Sequence, residues 1–235
     1  MAIARETDHR VQQLQANHLS EKPSLELLEE AVKKFKENPQ LPEIITQYWQ
    51  TLWKVWGERV NLSLMIPFCD RTTEEIKQLE KEGRKLVYVP GEVASQENRH
   101  LLGKMFPEMN DPSVRKDNFV TNDSNQGGWF DIEASFDSPN VNVKEKDLEY
   151  QFNKKRKAGQ RINTYIVGSQ DAKLQTGHYF DENNWSRLLG SRGDGRVVRV
   201  LFHVNSGLDV RWGLVSRGRL SRWGGRSEGV GVKKA

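Results

Sequence analysis

Residues 161–212 read RINTYIVGSQDAKLQTGHYFDENNWSRLLGSRGDGRVVRVLFHVNSGLDVRW. Short apolar runs alternate here with Gly, Asp and Asn turns, the composition of strands joined by tight connections. Residues 162–167, rich in β-branched side chains, read as a strand, with a turn at 168–171 and a new segment from Lys173. Residues 183–189 suggest one helical turn. Residues 197–204 and 208–215, separated by Ser206-Gly207, read as a hairpin. The stretch 190–196 has two readings. Its glycines can free backbone N–H groups to converge on an anion between Arg192 and Arg196. Alternatively, Asp194-Gly195 is an ordinary hairpin turn.

Upstream, residues 129–136 alternate so that Trp129, Asp131 and Glu133 share one face of a strand and Phe130, Ile132 and Ala134 the other. Residues 144–157 read as a helix, with Leu148 and Phe152 on its buried side. It ends in Lys154, Lys155, Arg156 and Lys157, more cations than a helix C-terminus needs, and enough to meet a phosphate backbone. Residues 59–68 and 85–89 read as strands around a helix that Asp70 or Thr72 caps and Gly83 ends. That alternation allows a βαβ unit, but no glycine fingerprint follows either strand, so a nucleotide-binding fold is unsupported. Residues 104–128 are rich in Pro, Asn and Asp and read as a long loop.

The front of the chain is helical in pattern. An apolar stripe from Leu25 to Phe35 precedes a second helix that Pro42 opens. On that helix Trp49, Trp53 and Trp56 recur at spacings of four and three. Large aromatics at this spacing belong to a core or an oligomer interface. The expected organisation is an N-terminal helical region over 1–58, serving as an oligomerisation arm, and an α+β core over 59–215. A flexible Arg/Gly-rich tail follows over 216–235. The expected fold class is α+β, with α/β as the alternative: N-terminal helices packed with or extending from a mixed, largely antiparallel sheet.

Charge separates the two halves. Residues 150–235 carry 17 Lys and Arg against 6 Asp and Glu, while residues 1–149 carry 19 against 26. A back half at net +11 suits an acidic partner such as DNA or RNA. The groups expected to meet it are Lys154–Lys157, Arg187, Arg192, Arg196, Arg217, Arg219, Arg222 and Arg226, with Trp223 stacking on a base. No helix-turn-helix or zinc-finger pattern is visible, so sequence-nonspecific binding without catalysis is the favoured reading. One alternative is a self-assembling structural protein whose acidic and basic halves pair between subunits. Another is a metal-dependent nuclease or other phosphate-processing enzyme. Its candidates are Asp131, Glu133, Asp171 and Lys173 around a divalent ion, or His178 as a base. A single cysteine, Cys69, allows no disulfide framework and no cysteine-rich metal site. The N-terminus lacks an apolar secretory run and no stretch of 18 apolar residues occurs, so a cytoplasmic protein without a membrane span is expected.

Overall fold

The computed structural model describes residues 24–115, 119–212 and 223–230. Among the described residues, eight helices and an eight-stranded, mixed and largely antiparallel sheet make an α+β fold, with the first helices preceding the sheet. Helix α1 covers 24–37 and turns Leu28 and Val32 inward. Helix α2 (Pro42–Glu58) has Pro in its first turn. Its three tryptophans are 1%, 0% and 4% exposed, meet edge to face, and reach Phe106. The Trp53 indole N–H donates to the Tyr88 carbonyl at 2.9 Å, tying the helix to the sheet. These rings lie in one apolar core with the sheet residues Val87, Ile132 and Val200. The boundary expected at residue 58 is therefore not a boundary in the core. The tryptophan face expected to join subunits is consumed inside the chain.

The strand expected at 59–68 does not form: 59–61 are a turn and 62–72 run on without regular secondary structure. Their burial alternates as in a strand, with Leu62, Leu64 and Ile66 turned inward, but the segment packs on α2 rather than beside another strand. Gln50 donates to the Ile66 carbonyl at 3.1 Å, and the Cys69 N–H donates to Thr46 Oγ1 at 2.9 Å. The backbone is thus satisfied without a ladder. Helix α3 (Thr73–Lys81) opens on a reciprocal cap between Thr72 and Glu75. Gly83 follows at φ 68°, then strand β1 (Arg84–Val89).

Four short helical pieces and a strand span residues 91–122 and break up the loop expected over 104–128. They are α4 (Gly91–Ala94), α5 (Arg99–Met105), a 3-10 turn (Pro107–Met109), α6 (Pro112–Arg115) and β2 (Val120–Asn122). Strand β3 (Gly128–Glu133) pairs antiparallel with β1, and the βαβ unit expected from 59–68 and 85–89 does not form because its first strand is absent. Helix α7 (Glu145–Lys154) and the two-residue β4 (Ala158–Gly159) lead into α8 (Ile162–Thr176). This last helix overturns the strand expected at 162–167. Residues Ile162 to Ser169 are buried all round, so the segment has no polar stripe to show a helical period.

The remaining strands are β5 (Trp185–Gly193), β6 (Arg196–His203), β7 (Gly207–Arg211) and β8 (Trp223–Val230). Strand β5 occupies the helical turn expected at 183–189. Asp194 and Gly195, both at positive φ (51° and 70°), make the tight turn to β6. The expected β6–β7 hairpin forms, with His203 opposite Gly207. The sheet order is β1-β3-β8-β5-β6-β7. Strand β8 pairs antiparallel with β3 and parallel with β5. Residues 223–230, expected in a flexible tail, thus form an interior strand. Their small side chains answer to crowding: a Cβ at Gly225 would meet Leu148, and one at Gly229 would fall on the Asp131 carboxylate.

The sheet has an inner face against α8 and an outer face crossed by α7. Lys85, Ile132, Val198, Val200, Arg226 and Glu228 point inward. On the outer face Leu148 and Phe152 of α7 pack on Leu189 and Val197.

Candidate functional site

The outer face beside α7 carries the arrangement that the apolar pattern does not require. Strand register sets Arg187 of β5 directly opposite Arg199 of β6, and Arg199 directly opposite Arg211 of β7. Opposed residues of an antiparallel pair share a face, so three guanidinium groups form one row. Two residues before Arg187, Trp185 sits on the same face, paired with Trp223 of β8. The indole centroids are 6.4 Å apart. The Arg199 guanidinium lies 4.3 Å from the Trp223 ring centroid, and that of Arg211 lies 5.3 Å from the Trp185 centroid. The row and its two rings make a cationic, aromatic strip along the sheet.

The row is poorly compensated within the chain. Arg211 is bound by Asp209, its Nε and Nη2 donating at 3.0 and 2.7 Å. Arg187 donates to the carbonyls of Val143 (2.7 Å) and Trp223 (3.3 Å). Its own Nε and that of Arg199 are buried without a hydrogen-bond partner. Burial pulls both groups below the ordinary arginine range. For Arg187 the pull of Glu145 upward comes next, then the push of Arg199 downward. For Arg199 the downward push of Arg211 exceeds the upward pull of Glu145. Arginine stays charged regardless. Like charges directly opposite on a sheet cost about 0.2–1 kcal/mol per pair. Exposure rises along the row, from a 7% exposed Arg187 through a half-buried Arg199 to a largely exposed Arg211.

The other expected binding groups divide. Lys154, Lys155 and Arg156 are exposed at the end of α7, and Arg196 is exposed at the hairpin turn. Arg192 also reaches α7, where it meets Glu149 at 3.4 Å. The Gly190–Arg196 stretch is strand and hairpin turn, not an anion-binding loop. Lys157 folds back to hold Asp131 at 2.6 Å. Arg226 is removed from any interface: it is fully buried and paired with the fully buried Asp181 at 2.8 Å. Arg217, Arg219 and Arg222 lie outside the described residues.

The acidic candidates do not converge. Asp131 and Glu133 share the outer face, where Arg84 holds both carboxylates and Ser227 Oγ donates to Glu133. Asp171 lies on α8 against the inner face, held by Lys85 at 2.8 Å. Arg84 and Lys85 are adjacent on β1 and point to opposite faces, so the sheet separates the carboxylates that a joint metal site needs. Among the described residues no group of three or more His, Cys, Asp or Glu is placed to hold a metal ion. Lys173 Nζ donates to the Gly177 carbonyl at 2.6 Å and lies 5.0 Å from the Tyr179 centroid. His178 is exposed, 3.2 Å from Glu182 and edge-on to Phe136. No helix among the described residues is long and apolar enough to cross a membrane.

Arg199 and Arg211 were legible as a facing pair once the Ser206-Gly207 turn fixed the hairpin register. Arg211 is matched by Asp209, two positions before it on the same strand, while Arg199 has only arginines opposite it. Trp185 carries no such signal, because its neighbour Trp223 is 38 positions away and belongs to the stretch that reads as a tail. No protein-family model, curated protein or solved structure matches the chain.

Proposed function

We propose that the outer face of this sheet binds single-stranded nucleic acid without sequence preference. The observation that carries the reading is the Arg187–Arg199–Arg211 row, opposed like charges beside two tryptophans, with two buried Nε–H groups lacking partners. A row of phosphates relieves that repulsion, which an apolar partner does not. The tryptophans hold the Arg199 and Arg211 guanidinium groups over their rings, and bases stack on guanidinium planes as well as on aromatic ones. The exposed Lys154, Lys155, Arg156 and Arg196 extend the positive field around the strip and speed encounter.

Salt separates this reading from docking of an acidic protein through shape. On single strands each neutralised phosphate contributes a slope of about −0.7 to the plot of log affinity against log salt. Three such contacts, from Arg199, Arg211 and the exposed cations around them, set a slope of about −2. Fluorescence anisotropy with labelled oligo-dT and oligo-U at several salt concentrations measures it. Comparable affinity for both homopolymers is expected. A salt-independent affinity, or no binding at low salt, sinks the proposal.

A further inference from the structure

A concave site lies on the opposite side of the sheet from the arginine row. A cleft of about 320 Å³ opens between α2, α3, α8 and the start of β1. Phe35, Ile45, Trp49, Leu79 and Phe136 give it apolar walls, and Phe136 is 43% exposed. One wall is polar. There the 1% exposed Asp171 carboxylate accepts from the Tyr48 hydroxyl at 2.6 Å, Gln175 Nε2 at 2.8 Å and Lys85 Nζ at 2.8 Å. These bonds tie α2, α8 and β1 together, so the cluster supports the fold. Its remaining capacity is what matters for a ligand.

Lys85 uses a second hydrogen on the Gly168 carbonyl at 3.2 Å and lies 4.8 Å from the Phe180 ring centroid, which leaves one N–H not spent on an oxygen. The Gln175 amide spends its N–H groups on Asp171 and on the Tyr48 oxygen at 3.4 Å, which leaves its carbonyl as an acceptor. Burial, with Asp171 beside it, raises the Tyr48 phenol well above its ordinary value and keeps it a neutral donor. The Lys85 and Asp171 charges cancel. The polar wall therefore presents one donor and one acceptor whose own charges cancel; at the cleft's edge Arg84 is held by Asp131 and Glu133, and Glu80 accepts from Gln40 at 2.6 Å. The aromatic-lined volume is of the size that holds small molecules.

The geometry points to a binding site for a small, neutral aromatic carboxamide. The ring system lies against Phe35, Trp49 and Phe136, the ligand carbonyl accepts from Lys85, and its N–H donates to the Gln175 carbonyl. A carboxylate in the same place sets oxygens against the Gln175 carbonyl and the Asp171 carboxylate. An ammonium meets Lys85. Rejection of both charged isosteres follows from the groups already present.

Calorimetric titration of the full chain with naphthalene-2-carboxamide, 2-naphthoate and 2-naphthylmethylamine tests the assignment. The carboxamide is expected to bind at least about tenfold more tightly than either charged compound, the effect of one well-made hydrogen bond to a charged group. Ala172→Leu fills the cleft from α8 and abolishes binding while oligonucleotide affinity stays unchanged. Gln175→Met, at a half-buried position, lowers carboxamide affinity by about tenfold and provides the test if the leucine variant does not fold. Equal or tighter binding of a charged compound overturns the proposal. So does failure of all three to bind folded protein at millimolar concentration, or carboxamide binding that neither variant changes. Because oligonucleotide affinity is read in parallel, failure here and failure of the outer-face reading are distinguishable.

Discussion

Arg226→Met is expected to destabilise the chain by about 3–5 kcal/mol, the cost of leaving a buried charge without its partner. Arg226 sits mid-strand in β8, fully buried against a fully buried Asp181. Its Nε and Nη2 donate to the two Asp181 oxygens at 2.9 and 2.8 Å. Nη2 also reaches the carbonyls of Ser135, Phe136 and Asp137, at 2.9 to 3.3 Å, and the guanidinium lies over the Phe180 ring. One side chain thus satisfies the loop after β3 and the loop before β5 together. Burial raises the Asp181 carboxyl above its ordinary value, against the pull of Arg226, so the aspartate depends on that cation to stay ionised inside. Replacing both partners, with Asp181→Leu alongside Arg226→Met, is expected to recover part of the loss, because no unpaired charge remains. Urea unfolding of the three variants measures this. A loss below about 1 kcal/mol for Arg226→Met is the size of a surface change and contradicts an interior β8.

Arg199→Glu is expected to move stability and affinity in opposite directions. It removes two like-charge oppositions and puts a carboxylate between Arg187 and Arg211. At about 0.2–1 kcal/mol for each of two relieved repulsions and two new attractions, the gain is about 0.8–4 kcal/mol. Loss of the cation–π contact with Trp223, about 0.5–1 kcal/mol, and repulsion from Glu145 trim it. Affinity for a single-stranded oligomer is expected to fall about a hundredfold, since one phosphate contact is lost and a repulsive charge takes its place. A structural arginine behaves otherwise: its replacement lowers stability and leaves the oligomer affinity alone. Paired urea and anisotropy measurements on one preparation tell the two apart.

What the sequence disclosed follows from how far apart the deciding residues lie. The tryptophan helix, the Thr72 cap, the Asp194-Gly195 turn and the β6–β7 hairpin are each set by residues within a few positions of one another, and all four are readable locally. Helix α8 is not. INTYIV is rich in β-branched and aromatic residues, and burial on all sides erases the polar stripe that marks a helical period. Strand β8 inverts its signal. Arg226 and Glu228 point into the core, where Asp181 and Arg161, 45 and 67 positions away, neutralise them. The glycines that suggest flexibility are there because Leu148 and Asp131 crowd the strand. For the same reason only part of the site was legible. Trp223 was expected to stack on a base and stands at the strip, while Arg226, three residues on, is buried. Asp131 and Asp171 could be paired in sequence only by overlooking the sheet between them.

The central claim is that the outer-face strip, rather than the acidic or apolar surfaces, receives single-stranded nucleic acid. The most direct test is the indole region of a proton–nitrogen spectrum of the full chain, recorded as oligo-U is added at low salt. The account predicts that the Trp185 and Trp223 signals shift together and saturate, while the buried Trp49, Trp53 and Trp56 signals stay in place. Saturating binding that leaves Trp185 and Trp223 unmoved would contradict it.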